Sequence, residues 1–130
     1  MEENKFQKIT KFTDLIAWQE AHKLALTIYE TTKEFPKEET YGLTGQMRRA
    51  AISISSNIAE GFGRRTSKDK NSFYTNSLTS LTELQNQLII SKDIGYIRKE
   101  SFQKIAEQTV TVHKLINGLI KSTRIKKYEP

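Results

Sequence analysis

Apolar side chains recur every three or four residues in four long segments of the chain. This spacing places them along one face of an α-helix. Residues that commonly end helices separate the segments, namely Pro36, the pair Gly61 and Gly63, and Gly95. The period-two alternation typical of β-strands is not found in the sequence. The pattern therefore predicts four amphipathic helices and no sheet.

The four predicted helices cover roughly residues 14–35, 43–62, 67–94 and 99–123. Asp14 is the expected N-cap of the first helix, and Thr66 or Ser67 that of the third, because their side-chain oxygens can accept from free backbone N–H groups. The apolar stripe of the first helix includes Trp18 and Tyr29. Four helices of this length joined by short loops bury their stripes best as an antiparallel, up-down-up-down four-helix bundle of the all-α class.

Length and composition limit the remaining possibilities. The 130 residues suit a single domain with its own core, and residues 1–12 and 124–130 are expected to be flexible ends. The absence of cysteine excludes disulfides and thiolate metal sites. The sequence has no apolar run long enough to span a bilayer, and its N-terminal segment does not resemble a signal peptide. We therefore expect a cytoplasmic protein with no membrane partner.

Positive charge is concentrated in the second half of the chain. Residues 1–63 carry 8 Lys/Arg and 9 Asp/Glu, a net charge of −1, whereas residues 64–130 carry 13 Lys/Arg and 6 Asp/Glu, a net charge of +7. Such an asymmetry favours a polyanionic partner, most often nucleic acid. The alternative is that the charge only aids solubility.

Two basic clusters are candidate phosphate-binding sites. The first surrounds the start of the third helix and the second lies at the end of the fourth; their members are Arg64, Arg65, Lys68 and Lys70, and Lys121, Arg124, Lys126 and Lys127. A helix N-terminus favours anions, although a solvated basic loop is the alternative. The stretch GFGRRTSK lacks the G-x-x-x-x-G-K-[ST] pattern and a preceding strand, which excludes a phosphate loop of the nucleotide-hydrolase type. We expect the two clusters at opposite ends of one subunit.

The second helix has three distinct faces when drawn at 100° per residue. Its core face contains Met47 and Ile54, and its outward face contains Arg49, Ser53, Ser56 and Glu60. A third band holds Ile52 with the small residues Ser55 and Ala59, and we interpret it as a subunit contact; a single exposed isoleucine is the alternative. Arg48 and Arg49 are further candidates for contact with nucleic acid. Asn57, at the edge of the core face, is expected to form a structural bridge to a neighbouring helix or loop; a ligand contact is the alternative.

Catalytic chemistry has little support in the sequence. Helical bundles hold paired metals through Glu-x-x-His motifs, but Gln19 precedes His22 and Val110 precedes His113 at that spacing. His22 is expected to face solvent and His113 to pack at the edge of the core. Phe62 is the aromatic residue most available for base stacking. We therefore expect no enzyme, no metal and no cofactor.

Three segments carry a resemblance to a known family: FTDLIAWQEAHKLALTIYETTKEFP, YGLTGQMRRAAISISSNIAEGFGR and SLTSLTELQNQLIISKDIGYI. They resemble the bacterial four-helix-bundle proteins encoded within intervening sequences of 23S ribosomal RNA genes. The resemblance implies an antiparallel bundle that assembles into a ring, with a pentamer expected. It extends to the accessory protein of diversity-generating retroelements, a basic ring that binds nucleic acid and a reverse transcriptase.

These observations favour a homo-oligomeric bundle that binds RNA or DNA mainly through phosphate contacts. The alternative is a protein-binding scaffold that recruits a reverse transcriptase or a ribosomal component. The resemblance supplies a role but no individual contact residues.

Overall fold

Four α-helices account for most of the chain in the computed structural model, which describes residues 8–127 and, beyond residue 124, the backbone only. They are α1 (Ile16–Thr32), α2 (Leu43–Phe62), α3 (Ser67–Asp93) and α4 (Lys99–Lys127), with two short 3-10 turns at Phe12–Asp14 and Lys37–Glu39. The described residues contain no strand, so the all-α prediction is confirmed. None of these helices is both long and apolar enough to cross a membrane.

Contacts between α2 and α3 fix their directions. Near the start of α2, the Met47 sulfur accepts a hydrogen bond from Ser91 at 3.4 Å, close to the end of α3. Two turns later, the carbonyl of Ile54 accepts one from Ser77 at 2.7 Å. The partner moves backward along α3 as the contact moves forward along α2, so the two helices are antiparallel.

The other neighbouring helices are antiparallel by the same criterion. Arg48, early in α2, donates to Thr32 at the end of α1, and Gln85 of α3 donates to Thr109 of α4. Since α1 also packs against α4, each helix contacts two neighbours around the core. This is the predicted up-down-up-down bundle.

The core is formed by aliphatic side chains from all four helices. Each such side chain that leaves water contributes about 1.5–3 kcal/mol. The largest fully buried ones are Leu24, Ile28, Met47, Ile54, Ile58, Leu81, Leu84, Leu88, Val112 and Ile116.

Helix starts follow the predicted capping chemistry in one case and differ in another. Thr66 caps α3, and its hydroxyl accepts from the Asp69 N–H at 3.0 Å, as predicted. The prediction for Asp14 was wrong, because α1 starts two residues later. The Asp14 carboxylate instead accepts from the N–H groups of Thr10 and Lys11, which stabilise its charged form and lower the pKa of Asp14. Asp14 thus stabilises the turn that precedes α1.

Three side chains lie elsewhere than the helical pattern predicted. Tyr29 is 39% exposed rather than in the core, and its ring packs against the guanidinium of Arg48, 4.6 Å from the ring centroid. His113 is exposed and does not pack at the core edge. Ser53 does not face solvent but is half-buried against α3, with its hydroxyl 2.8 Å from that of Ser80.

One carboxylate joins the loops at the end of the bundle where α2 begins. The Glu39 carboxylate accepts from the Leu43 N–H at 3.0 Å and from the Tyr96 hydroxyl at 2.9 Å. That second bond favours the protonated phenol and raises the pKa of Tyr96. Glu39 therefore caps α2 and at the same time holds the α3–α4 loop, which turns at Gly95 with a φ of 89°.

Candidate nucleic-acid interface

The two basic clusters lie at the same end of the bundle. Helices α2 and α4 run in the same direction, so both end where α3 begins. Lys68 from the start of α3 and Arg124 from the end of α4 line one cleft. The expectation that the clusters lie at opposite ends of a subunit was therefore wrong, because it assigned the wrong direction to α4. We call this surface the basic end; its described members are Arg64, Arg65, Lys68, Lys70, Lys121 and Arg124.

Arg64 is held in place by two neighbours. Its guanidinium lies 3.6 Å from the carboxylate of Glu60, four residues earlier, and 4.5 Å from the centroid of the Phe73 ring. The Arg64 and Glu60 side chains are 46% and 59% exposed, so the ion pair contributes at most about 1 kcal/mol. The contact with Phe73 adds a cation–π interaction that orients the guanidinium. Arg64 keeps an exposed charge in a defined position.

Lys70 stabilises the end of α2. Its ammonium donates to the carbonyl oxygens of Phe62 at 2.7 Å and Gly61 at 3.4 Å, two of the carbonyls that a helix end leaves without partners. It also lies 5.4 Å from the centroid of the Phe62 ring. Lys70 therefore has a structural role, in which it links the start of α3 to the end of α2.

Arg65, Lys68 and Arg124 are exposed, and none makes a hydrogen bond or ion pair with another described side chain. Lys68 and Arg124 face a cleft of about 520 Å³ that is also lined by Ser67, Asn71 and Thr123. We call it the cationic cleft. Two positive side chains from different helices border it, which makes it suitable for an anion.

A second cavity of about 480 Å³ lies beside the cationic cleft, and we call it the apolar cavity. Its walls are formed mainly by Leu15, Phe62, Tyr74 and Leu119. Burial raises the pKa of Tyr74, so its phenol stays protonated near neutral pH. Thr123 lines both cavities, so the two are neighbours across the end of α4.

The other predicted contact residues lie away from the basic end. Arg48 and Arg49 are at the start of α2, about 22 Å along the helix from Arg64 at 1.5 Å per residue. Arg48 is occupied structurally, since it donates to the Thr32 hydroxyl at 2.9 Å and to the Tyr29 carbonyl at 3.3 Å. Arg49 is exposed. The side chains of Lys126 and Lys127 lie outside the described residues.

The predicted subunit contact is a mixed surface on α2. Ile52 is 43% exposed, whereas Ser55 and Ala59 are half-buried. The Ser55 hydroxyl donates to the carbonyl of Ile52 within the same helix at 3.2 Å. The Asn57 amide likewise donates to Ser53 in its own helix, and Ser53 in turn contacts α3. Asn57 is thus structural, but its hydrogen bonds stay within α2, so the predicted bridge to a neighbouring helix or loop was wrong.

The described residues contain no group of three or more His, Asp or Glu side chains arranged to hold a metal. His22 is exposed, as predicted, and its ring stacks on Trp18 with centroids 4.8 Å apart.

Sequence reasoning missed several residues of the two cavities. Asn71 and Thr123 are polar residues within helices, which the sequence pattern does not distinguish from other polar positions. Phe73 has the spacing of a core residue, although its ring packs against Arg64. The correct direction of α4 would have placed Thr123 beside the start of α3.

Known proteins share this architecture. A crystal structure from Bacteroides thetaiotaomicron VPI-5482, described as a protein of unknown function from the S23 ribosomal protein family, matches with a TM-score of 0.77. The match covers 83% of this chain and 97% of that one at 22% identity, which establishes a common fold. Among curated proteins, no sequence matches. Residues 13–118, which include all of α1, α2 and α3, match the family described as 23S rRNA-intervening sequence protein. The chain therefore belongs to the 23S rRNA-intervening sequence protein family.

Proposed function

We propose that this protein is a non-enzymatic, cytoplasmic nucleic-acid-binding bundle that contacts phosphates through its basic end. The observation that carries the proposal is that Lys68 and Arg124, from the start of α3 and the end of α4, border one cleft, while Arg65 lies in the loop just before α3. All three are exposed and unpaired among the described side chains. The family name refers to 23S rRNA, so RNA is the first nucleic acid to test, with DNA as the comparison.

The distribution of charge between the two ends of the bundle supports this location. Segments 60–70 and 118–124, at the basic end, carry six basic and two acidic residues. The loop segments 33–39 and 92–100, at the opposite end, carry five of each sign, and Arg48 and Arg49 are further cations near that end. A polyanion is therefore attracted more strongly to the basic end than to the loops at the opposite end.

Phosphate contacts of this kind give affinity without reading the base sequence. Besides Arg64, which is paired with Glu60, four exposed cations are available for such contacts: Arg65, Lys68, Lys121 and Arg124. Each neutralised phosphate of a single strand contributes about −0.7 to the slope of log K against log salt, so four predict a slope of about −3.

A triple variant tests the proposal: Arg65→Gln, Lys68→Gln and Arg124→Gln. Its matched control removes three exposed positive charges from the opposite end, through Lys37→Gln, Arg98→Gln and Lys104→Gln. Binding of fluorescent RNA and DNA oligonucleotides is measured by anisotropy over a series of salt concentrations. Loss of three phosphate contacts reduces the slope to about −1, while the control keeps the wild-type slope.

Two results would contradict the proposal. Absence of binding to any RNA or DNA at low salt would refute nucleic-acid binding altogether. Equal loss of affinity in the triple variant and its control assigns binding to net charge and not to the basic end. Circular dichroism of both variants confirms that each retains the helical fold.

We further propose that the protein is a homo-oligomer, for which the sequence resemblance implies a pentamer. Exposed apolar side chains on opposite sides of the bundle support this. Leu26 and Ile52 lie on the α1–α2 side, whereas Ile89 and Val110 border an apolar groove between α3 and α4. Pairing one side with the other joins copies head to tail, which can close a ring and repeat the basic end around it.

The same groove supports a second candidate function, a scaffold that recruits a protein such as a reverse transcriptase or a ribosomal component. Binding of that partner would resist nuclease and would be retained in the triple variant. If nuclease treatment abolished recovery of the partner with this protein, the scaffold function would be excluded.

A further inference from the structure

We propose that the ligand of the basic end is a single strand with an unpaired base, whose backbone phosphate lies in the cationic cleft and whose base enters the apolar cavity. The inference rests on the proposed function and adds the structural class of nucleic acid. It comes from the pairing of two cavities of different chemistry, both of which Thr123 lines.

The cationic cleft matches the charged part of a nucleotide. Lys68 and Arg124 supply positive charge from two helices, and neither is paired with an acidic side chain among the described residues. The side-chain oxygen Oδ1 of Asn71, in the wall of the same cleft, is buried without a hydrogen-bond partner. A buried acceptor needs a donor, and phosphate oxygens do not provide one. Ribose hydroxyls and base N–H groups can supply that donor, in addition to the contacts of a phosphate with Lys68 and Arg124.

The apolar cavity matches the uncharged part. The half-buried Phe62 provides aromatic surface, and the buried Tyr74 together with Leu15 and Leu119 forms the apolar walls. Its volume of about 480 Å³ is within the range of cavities that hold small organic ligands. Aromatic side chains stack with bases of every type, which fits binding without sequence reading.

The neighbouring positions of the two cavities exclude a paired duplex from this mode of binding. Bases of a double helix are stacked and paired inside it, and only an unpaired base can leave the backbone to enter a protein cavity. The basic end thus favours single strands, loops or bulges. Charge complementarity selects a nucleotide rather than an apolar peptide, because the ligand must place an anion directly beside its apolar group.

The test compares three ligands of equal length: a single strand, the same strand paired as a duplex, and an abasic strand with the same phosphates. Fluorescence anisotropy at one salt concentration gives their affinities. Stacking of one base predicts that the abasic strand binds about 5- to 150-fold more weakly than the complete strand. When affinities are compared per phosphate, the duplex is expected to bind no more tightly than the abasic strand, because its paired bases do not enter the cavity.

A cavity-filling variant locates the base. Ser122 is exposed and borders the apolar cavity, so Ser122→Phe fills its entrance without disturbing the core. Ser56→Phe places the same side chain on the exposed surface of α2 as the control. We expect Ser122→Phe to bind the complete and abasic strands equally, and Ser56→Phe to distinguish them as the wild type does.

The outcomes separate this inference from the proposed function. If all strands bind equally in the wild type and the triple variant loses that binding, phosphate binding stands and the base site is refuted. If Ser122→Phe still distinguishes the abasic strand, the base binds elsewhere and the inference fails. If a free nucleoside monophosphate displaces the strand at equal concentration, the ligand of the two cavities is a mononucleotide, and the inference of a single strand fails. Absence of binding to every ligand refutes the proposed function as well.

Discussion

Gly61 and Gly118 allow the same substitution to be made in two different environments. Gly61 is the penultimate residue of α2, and a Cβ atom there would lie 2.6 Å from Cε1 of Tyr74, 2.9 Å from its Cδ1 and 3.1 Å from the Cβ of Phe73. Gly118 lies in α4, and a Cβ atom there would have no neighbour within 4 Å. Replacement by alanine therefore tests close packing between α2 and α3.

The magnitudes follow from helix propensity and overpacking. Alanine is favoured over glycine within a helix by about 1 kcal/mol, so Gly118→Ala stabilises the protein by about that amount. Gly61→Ala gains less, because it is next to the helix end, and it incurs overpacking of about 1–3 kcal/mol. The Tyr74 ring is only 3% exposed, so the surrounding core restricts its displacement. The expected net effect is a destabilisation of about 1–2 kcal/mol.

Thermal unfolding followed by circular dichroism measures both variants. An unfolding entropy of about 2.1 cal/mol/K per residue makes 1 kcal/mol equal to a shift in Tm of about 4 °C for a chain of this length. We expect Gly118→Ala to raise the Tm by about 4 °C and Gly61→Ala to lower it by about 4–8 °C. An equal rise in both variants would show that α2 and α3 are not in close contact at Gly61, and would refute the reasoning.

Two further predictions concern other parts of the bundle. The Tyr96 hydroxyl donates to Glu39, which raises the pKa of Tyr96 in the folded protein above its ordinary value of 10.0. The stability that this bond contributes is therefore fully present below pH 10 and is lost as the pH rises through the raised pKa. Glu39→Gln should lower the pKa of Tyr96, as measured by phenolate absorbance with Tyr96→Phe to identify the signal; an unchanged titration would contradict the assignment. For self-association, Ile52→Lys should reduce the mass found by sedimentation equilibrium, while Ile16→Lys, at another exposed isoleucine, should not. An unchanged mass in Ile52→Lys would exclude that contact.

Much of the bundle could be predicted because helical periodicity is a local property. The bounds of α2 and the Thr66 cap of α3 depend on residues close in sequence, and both predictions were confirmed. The prediction for Asp14 failed because a turn and a helix start use the same cap chemistry. The contact between Tyr29 and Arg48 could not be predicted, because the two residues are distant in sequence.

The candidate site was harder to predict because it is formed where three helix ends meet. Composition identified Arg65, Lys68 and Arg124 as basic residues, but only the direction of α4 places them together. The apolar cavity had no signal in the sequence, since Tyr74 and Leu119 have the spacing of ordinary core residues. Their position at the end of the core leaves part of each side chain facing the cavity.

The serine contacts between α2 and α3 have a consequence for how the interface can change. Ser77 is fully buried, and its hydroxyl donates to the Ile54 carbonyl, while Ser53 contacts Ser80 and Ser91 donates to the Met47 sulfur. A slip of one helical turn would break all three contacts together, at a cost of about 1 kcal/mol for each hydrogen bond. The alignment of the two helices is thus specified inside the bundle and does not depend on the loop that joins them. Substitutions in that loop, including those at Arg64 and Arg65, can alter what the protein binds while the fold stays the same.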